Sequence, residues 1–522
     1  MFRFFRKQMD TGSTNANTPK SDEFPILLFT SVQKNVENIK KILDSPSDLV
    51  VRQFTIGGSN HTCAVIYIDG LVDSNLVNGF ILKNIQIEMS VANKPVFSTG
   101  EAILKELEKG VLSTSEIKRT DSLDDVMLEI LSGGTCLFIE GTDQVLIIGS
   151  KGGVERGVEE PVTEALIRGP RDGFNENLRT NTAHIRRRVR DSNLRFESFK
   201  VGRRSKTDLV VAYVEGIVHP DIVNEVKRRI KTIDIDEVPE TGIVEQWLED
   251  SFLSPFPQLQ STERPDKVAS ALLVGKVGIL LDGTPFALIV PTTLVSLLQS
   301  PEDYYERWQI GTLLRLLRFT AAFITLFLPA LYVALVSYHP GLIPSKIAFS
   351  IAASREGVPF PAFIEAVIME ATIELLREAG VRLPKPIGQT IGIVGGLVIG
   401  DAAVSAGIVS PIMVIIVAVT AISSFALPYY SVAISLRMLR FLVMLGAAFL
   451  GLYGIILVYI MINIHLANLK SFGLPYTTPF APMFTGDMKD VIVRAPLTMM
   501  KKRPTYMQTR DQDRVKKGGR KS

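Results

Sequence analysis

The stretch Phe319–Tyr338 (FTAAFITLFLPALYVALVSY) contains no Lys, Arg, Asp or Glu. Two more uncharged stretches follow it, Pro411–Pro428 (PIMVIIVAVTAISSFALP) and Phe441–Ile464 (FLVMLGAAFLGLYGIILVYIMINI). As a helix, each is of the length needed to cross a hydrocarbon core of ~30 Å, which takes about 20 apolar residues. Ile387–Val409 is a fourth such stretch, interrupted by one acid, Asp401. Across residues 319–466 there are seven Lys or Arg and six Asp or Glu, whereas 21% of the whole chain is charged. The pattern predicts an α-helical multi-pass membrane domain over 319–466, with spans 319–338, 387–409, 411–428 and 441–464. Residues before 319 read as soluble, so function lies in how the two halves are coupled.

A chain of 522 residues holds two or three domains. Its mean hydropathy of +0.23 averages a polar front half with an apolar back half. The first residues are polar and basic, without the apolar core of a signal peptide, so the N-terminal domain is expected to stay on the side of synthesis. Residues 467–522 read as a basic C-terminal tail. From Lys501 onward nine Lys or Arg face only Asp511 and Asp513, a net of +7. That excess predicts a cytoplasmic, solvated and unstructured tail, with contact to anionic membrane lipid as the minor alternative. Four spans keep tail and N-terminal domain on one side. Arg315 and Arg318 agree with that count, but Arg437 and Arg440 would then precede the last span on the outside; a fifth span at 361–380 would bring those two inside and put the tail outside. Cys63 and Cys136 fit neither a zinc pattern nor a disulfide framework and are expected to be reduced core residues.

Residues 1–23 have the composition of a disordered leader. Beyond them helical and strand-like patterns alternate, which predicts an α/β architecture. The segment Tyr67-Ile68-Asp69-Gly70-Leu71-Val72 recurs as Tyr213-Val214-Glu215-Gly216-Ile217-Val218, an offset of 146 residues. Leu137–Ile147 (LFIEGTDQVLI) recurs as Ile279–Ile289 (ILLDGTPFALI), an offset of 142. Two matches at nearly one spacing predict two related α/β subdomains, 24–150 and 195–318 with its linker. Between them, 151–194 is an Arg-rich connecting segment with Arg168, Arg171, Arg179, Arg186, Arg187, Arg188 and Arg190. Without aromatic interleaving it reads as salt links between subdomains or to a neighbour, and no nucleic-acid partner is expected.

The search for chemistry returns no catalytic residue, no metal site and no cofactor motif. His61, His184, His219, His339 and His465 are scattered, and no phosphate loop, nucleophile elbow or dinucleotide fingerprint is present. The membrane half is richer. Gly392, Gly396 and Gly400 recur every fourth residue, as helix-packing glycines do. Asp401 is a candidate intramembrane acid, costly within a span unless it meets protein or water. Pro361–Gly380 (PAFIEAVIMEATIELLREAG) is too acidic for a lipid-facing span and reads as an amphipathic helix that lies in the interface, re-enters the membrane or lines an aqueous path. Glu370, Glu374, Arg377 and Glu378 cluster on one side, with Ile368, Met369 and Thr372 opposite and Glu365 at the start of that second face. Periodicity does not decide between the faces.

Three stretches carry a resemblance: Glu160–Arg188 (EPVTEALIRGPRDGFNENLRTNTAHIRRR), Phe256–Val268 (FPQLQSTERPDKV) and Pro359–Gly400 (PFPAFIEAVIMEATIELLREAGVRLPKPIGQTIGIVGGLVIG). They are similar to the A subunits of the GerA-type germinant receptors of endospore-forming bacteria, from about residue 24 to the last span. The resemblance implies a non-enzymatic, multi-pass subunit of a nutrient sensor in the spore inner membrane. Its partners would be a transporter-like B subunit that binds germinant and a C subunit that is a lipoprotein. It further implies a homo-oligomer, with a pentamer the favoured number, forming a ligand-gated cation channel. The pore-lining candidates are then Glu365, Ile368, Met369 and Thr372 on one face, or Glu370 and Glu374 on the other. A secondary transporter using Asp401, or a scaffold for the partner subunits, are the alternatives.

Overall fold

The computed structural model describes residues 28–56, 61–88, 99–108, 116–152, 160–161, 163–382 and 400–515. The leader, Gly392, Gly396 and most of the 387–409 stretch lie outside the described residues. The chain divides into two units, one formed by residues up to Ile42 with Leu49–Gly152, the other by Leu43–Asp48 with Gly153–Ser522.

In the first unit α1 (Val32–Leu43) leads into β1 (Leu49–Thr55) and β2 (Thr62–Ile68), then a helical run over 74–88 and α2 (Gly100–Glu106). β3 (Ile117–Thr120), α3 (Leu123–Ser132), β4 (Thr135–Ile139) and β5 (Val145–Ile148) complete it. The sheet order is β1-β2-β4-β5-β3, and every pair is antiparallel. The alternation of helix and strand thus builds an antiparallel sheet rather than parallel crossovers. Period-two alternation sends Cys63, Val65, Leu137, Ile139, Leu146 and Ile148 to one face, where Val77, Ile81, Ile85, Ile103 and Leu104 cover them. Local chemistry bounds α3: Ser122 accepts from the Asp125 N–H at its start, and Gly133, at φ 94°, ends it.

The second unit opens with α4 (Leu178–Arg188), β6 (Leu194–Val201), β7 (Thr207–Val214), α5 (Pro220–Ile230) and α6 (Thr241–Leu248). β8 (Gln260–Thr262), α7 (Pro265–Leu273), β9 (Val277–Leu281) and β10 (Ala287–Val290) follow. The order β6-β7-β9-β10-β8 is that of the first sheet, position for position. Gly70 and Gly216 sit at φ 85° and 82°, Gly141 and Gly283 at 89° and 86°, each ending a strand in a turn that an L side chain resists.

The helical part follows within the same unit: α8 (Trp308–Tyr338), α9 (Ser345–Arg355), α10 (Ala362–Arg382), α11 (Pro411–Phe425) and α12 (Tyr430–Asn468). By length and composition α8 and α12 suffice to cross a membrane, and α11 is a shorter apolar helix. The expected single span 441–464 is corrected: α12 breaks at Gly451, whose φ 61° and ψ −140° are not helical. Its arms fold back as a hairpin. A Cβ on Gly446 would lie 3.0 Å from Val458 Cγ2, and Gly454 is packed against the Gly446 carbonyl. Ser435 near one end donates to the Pro255 carbonyl, while His465 near the other lies 2.9 Å from Ser254 Oγ. Both ends of α12 therefore lie beside the second sheet, and the tip at Gly451 touches Tyr338 and His339 at the far end of α8. Arg437 thus sits toward the sheet-domain end of its arm, not the opposite one, and Arg440 lies about midway along it.

The tail also departs from expectation. Residues 469–515 are folded: Ser471 donates to the Gln258 carbonyl at 2.7 Å, and the Arg510 and Asp511 N–H groups donate to the Ile217 and Gly216 carbonyls at 3.1 and 3.2 Å. Its charge did not reveal the apolar residues Val491 and Met507, which are 2% exposed.

Candidate functional site

Acids and bases inside the helix bundle form the strongest candidate. On α10 the buried face carries Ala362, Glu365, Ala366, Met369 and Glu370 at helical spacing. Glu370 lies 2.6 Å from Arg440 of α12, both buried, and Arg440 also reaches Glu374 at 3.4 Å. Glu374 completes its partners with Arg437 at 3.0 Å and Arg377 at 2.8 Å, and Arg377 donates to Ser424 Oγ at 3.3 Å. One helix turn of acids thus meets arginines from two helices. Toward the other end of α10, Glu365 pairs with Arg355 at 2.8 Å and accepts from the Ser410 N–H and Oγ, both at 3.0 Å. Ser410 is also the N-cap of α11, so Glu365 anchors a helix start. Glu365 meets the start of α11 and Arg377 meets Ser424 at its end; the two helices therefore run parallel.

Removing a charge from water costs several kcal/mol per ion unless a partner and hydrogen bonds replace the solvent. Here every acid on the buried side of α10 has its arginine. The two faces expected from sequence as pore linings are therefore mostly turned inward: Glu365, Met369 and Glu370 are buried, and Glu374 is half-buried. What α10 leaves exposed is the stripe Ile364, Ile368, Ala371 and Leu375, which runs on to Glu378 and Arg382; of the expected pore-lining residues it contains Ile368, with Thr372 half-buried beside it. The Thr372 hydroxyl donates to its own helix at the Ile368 carbonyl, 2.8 Å away.

Asp401 is exposed on the surface of the chain. Gly400 is buried but not tightly apposed, since a Cβ there would rest 3.6 Å from Val414 Cγ1, ordinary contact. The close glycine packing lies instead at Gly446 and Gly454, which sequence reading passed over because they break no charge pattern.

A second network couples the bundle to the sheet. The Asp303 carboxylate pairs with Arg315 at 3.0 Å and Arg318 at 2.6 Å, both on α8. Arg315 also reaches the tail's Asp490 at 2.7 Å, and Tyr304 Oη donates to the other Asp490 oxygen at 2.7 Å. Nearby, two of the stretches that carry the resemblance meet. Arg264 is buried against Asp266 at 3.1 Å and donates to the Pro170 carbonyl at 2.6 Å. Lys267 pairs with Glu164 at 2.8 Å and lies 4.0 Å from the centre of the Tyr429 ring, the N-cap of α12. Burial pulls the Lys267 ammonium below its usual range, with Glu164 opposing that shift. The Arg-rich segment serves the same unit: Arg186, on α4, holds Asp48 through two hydrogen bonds of 2.9 and 3.0 Å. These clusters were not legible as sites, because their members are scattered along the sequence.

Comparison with known proteins now fits this frame. Residues 37–506 match the family described as Bacillus/Clostridium GerA spore germination protein. The chain is 50% identical to spore germination protein GerLA of Bacillus cereus over 91% of its own length and 95% of that relative. It is 44% identical to spore germination protein KA of Bacillus subtilis (strain 168), covering 95% of this chain and 90% of the relative. Among solved structures, the N-terminal domain of the A subunit of the Bacillus megaterium spore germinant receptor GerK3 is similar at 31% identity. The match covers 51% of this chain and 96% of that one, with a TM-score of 0.39. With the family matched across most of its length, the chain belongs to the Bacillus/Clostridium GerA spore germination protein family.

Proposed function

We propose that this chain is the membrane-embedded A subunit of a spore germinant receptor, seated in the spore inner membrane beside a transporter-like B subunit and a lipoprotein C subunit. α8, α10, α11 and the two arms of α12 cross the bilayer, and the span expected from sequence at 387–409 returns the chain between the parallel α10 and α11, so that the sheet domains and the tail stand together on the cytoplasmic side. Arg315, Arg318 and Arg437, toward that end, agree with the positive-inside tendency. Copies of the chain, five in the favoured assembly, surround a cation path lined by α10.

The observation that carries this reading is the two-sided character of α10. One face is locked to arginines of its own chain; the other is exposed, with the uncharged Ile364, Ile368, Ala371 and Leu375 followed by the Glu378–Arg382 pair at its C-terminal end. Around an axis, such a stripe would form an apolar constriction closed by dewetting, with Thr372 as its polar relief. In this arrangement Glu365 and Glu370, held by Arg355 and Arg440, form no charged ring in the path, and of the expected lining Ile368 and Thr372 remain. The purified chain in planar bilayers tests it: stepwise cation currents support a channel, solute-coupled flux a transporter, and silence a scaffold. Ile368→Ala and Leu375→Ala should raise the leak without germinant, whereas buried Met369→Ala should lower stability without leak. Leak from Met369→Ala alone would turn the helix the other way.

A further inference from the structure

The first turns of α8 are built inside out. Arg315 and Arg318 point inward to Asp303, while Trp308, Ile310, Leu313, Leu316 and Leu317 are exposed. Residues 490–494 lie against the same turns: Arg315 donates to the Asp490 carbonyl at 2.8 Å, and the Arg494 N–H donates to Thr312 Oγ1 at 3.1 Å. That fixes exposed Ile492 and Val493 at the level of Thr312 and Arg315, and Leu497 and Met499 are exposed just beyond. At the sheet-domain end of α12, Ser254 is hydrogen-bonded to His465, and the residues before it, Phe252 and Leu253, are 86% and 79% exposed.

We propose that these residues form an apolar collar that dips into the headgroup layer of an anionic bilayer. The proposal rests on the reading that α8 and α12 cross a membrane. Two observations choose lipid as the occupant. First, α8 has 31 residues. At 1.5 Å per residue that is ~46 Å, against a hydrocarbon core of ~30 Å, so about ten residues stand beyond the core when Tyr338 marks its far boundary. Leu313, Leu316 and Leu317 then fall within the headgroup layer of about 5–8 Å. The collar continues the apolar surface of the span. Second, the charges are sorted. Asp490 is consumed by Arg315 and Tyr304, and Asp487 accepts from the Thr505 N–H and hydroxyl at 2.8 and 2.6 Å. Lys489, Lys501 and Lys502 are exposed beside the apolar residues. Exposed cations flanking apolar side chains are complementary to acidic lipid, each worth about 1 kcal/mol near such a surface.

The full chain in phosphatidylcholine nanodiscs, with and without phosphatidylglycerol, tests this. Nitroxides are attached at Val493→Cys, Met499→Cys, Phe252→Cys and, in the span, Phe323→Cys, and their relaxation is read with oxygen and a water-soluble nickel chelate. Cys63 and Cys136 are buried, with thiols pushed up to about 12 and beyond, so they label poorly. The expected result is oxygen contact and nickel shielding at Val493, Met499 and Phe252, shallower than Phe323 and deeper in anionic discs. Replacing Lys489, Lys501 and Lys502 together by Gln should raise nickel contact several-fold, in anionic discs only; no change overturns the choice of acidic lipid. Nickel contact at the collar with oxygen contact at Phe323 overturns the collar and leaves the crossing intact. Nickel contact at Phe323 overturns the crossing itself. Shielding of the collar from both reagents means that protein, such as a second copy, covers it, and overturns lipid as its occupant.

Discussion

Replacing Gly451 by Ala would put a Cβ 2.8 Å from His339 Cε1 and 3.0 Å from Tyr338 Cβ, at a backbone of φ 61° that side chains resist. The strain alone is about 1–3 kcal/mol, so the variant should melt earlier in detergent; an unchanged midpoint would mean the arms do not fold back there. Arg440 offers a different test. Arg440→Met strands Glu370 in the bundle, a loss of about 3–5 kcal/mol for a buried pair broken on one side. Adding Glu370→Met should restore most of that stability, whereas additive losses would separate the two residues. In the sheet domain, burial, helped by Glu249 and Glu240, pushes the Glu245 carboxyl up to about 7. A raised folded value means the native state holds its proton longer than the unfolded chain. Stability from this group is therefore present below about pH 4.5, falls as pH rises toward 7, and stays lost above it. Glu245→Gln should thus stabilise the chain at pH 8, by up to about 2 kcal/mol, and the gain should vanish at pH 4.

At the scale of elements, legibility followed periodicity and failed where fold-back decided the outcome. The repeated motifs around Gly70 and Gly216 predicted related sheets, and both sheets have one strand order because the same turns recur. Charge-free runs located α8, α11 and α12, since burial in lipid or protein demands the same composition. They could not show the break in α12: a glycine inside an apolar run reads as helix until its φ is known, and Gly446 and Gly454 announce their contact only in three dimensions. The acids of α10 were recognised, but their partners were not. Arg437 and Arg440 lie some sixty residues away, and in a four-span reading they faced the opposite side. The tail misled through its charge: nine cations from Lys501 onward drew attention away from the apolar segment before them. The element-level consequence is that the tail clamps the sheet. Truncation before Lys489 removes both the Asp490 partner of Arg315 and the strap on Gly216, so it should lower the yield of folded chain. Full yield from that truncation would reduce the strap to decoration.

For the whole molecule the decisive quantity is the side on which each loop emerges. Ser435 and His465 both contact the Ser254–Pro255 corner, so the start and end of α12 share the sheet-domain end while Gly451 lies at the other. The four-span reading instead places residues just before 441 outside. Tyr430, 64% exposed, separates the two arrangements. In intact cells an impermeant thiol reagent should leave Tyr430→Cys and Gln508→Cys unlabelled and label Gly341→Cys, where nothing lies within 4 Å of an added Cβ. Permeabilisation should expose the first two. Labelling at Tyr430 without permeabilisation would restore the single span and remove the hairpin. Labelling at Gln508 would detach the tail from the sheet domain. With the hairpin in place, the arginines of α12 pair with Glu370 and Glu374 and leave exposed on α10 the aliphatic stripe from Ile364 to Leu375, with Glu378 and Arg382 beyond it. In the proposed channel, the fold-back of one apolar helix thus decides whether the acids or the aliphatic residues of α10 line the path.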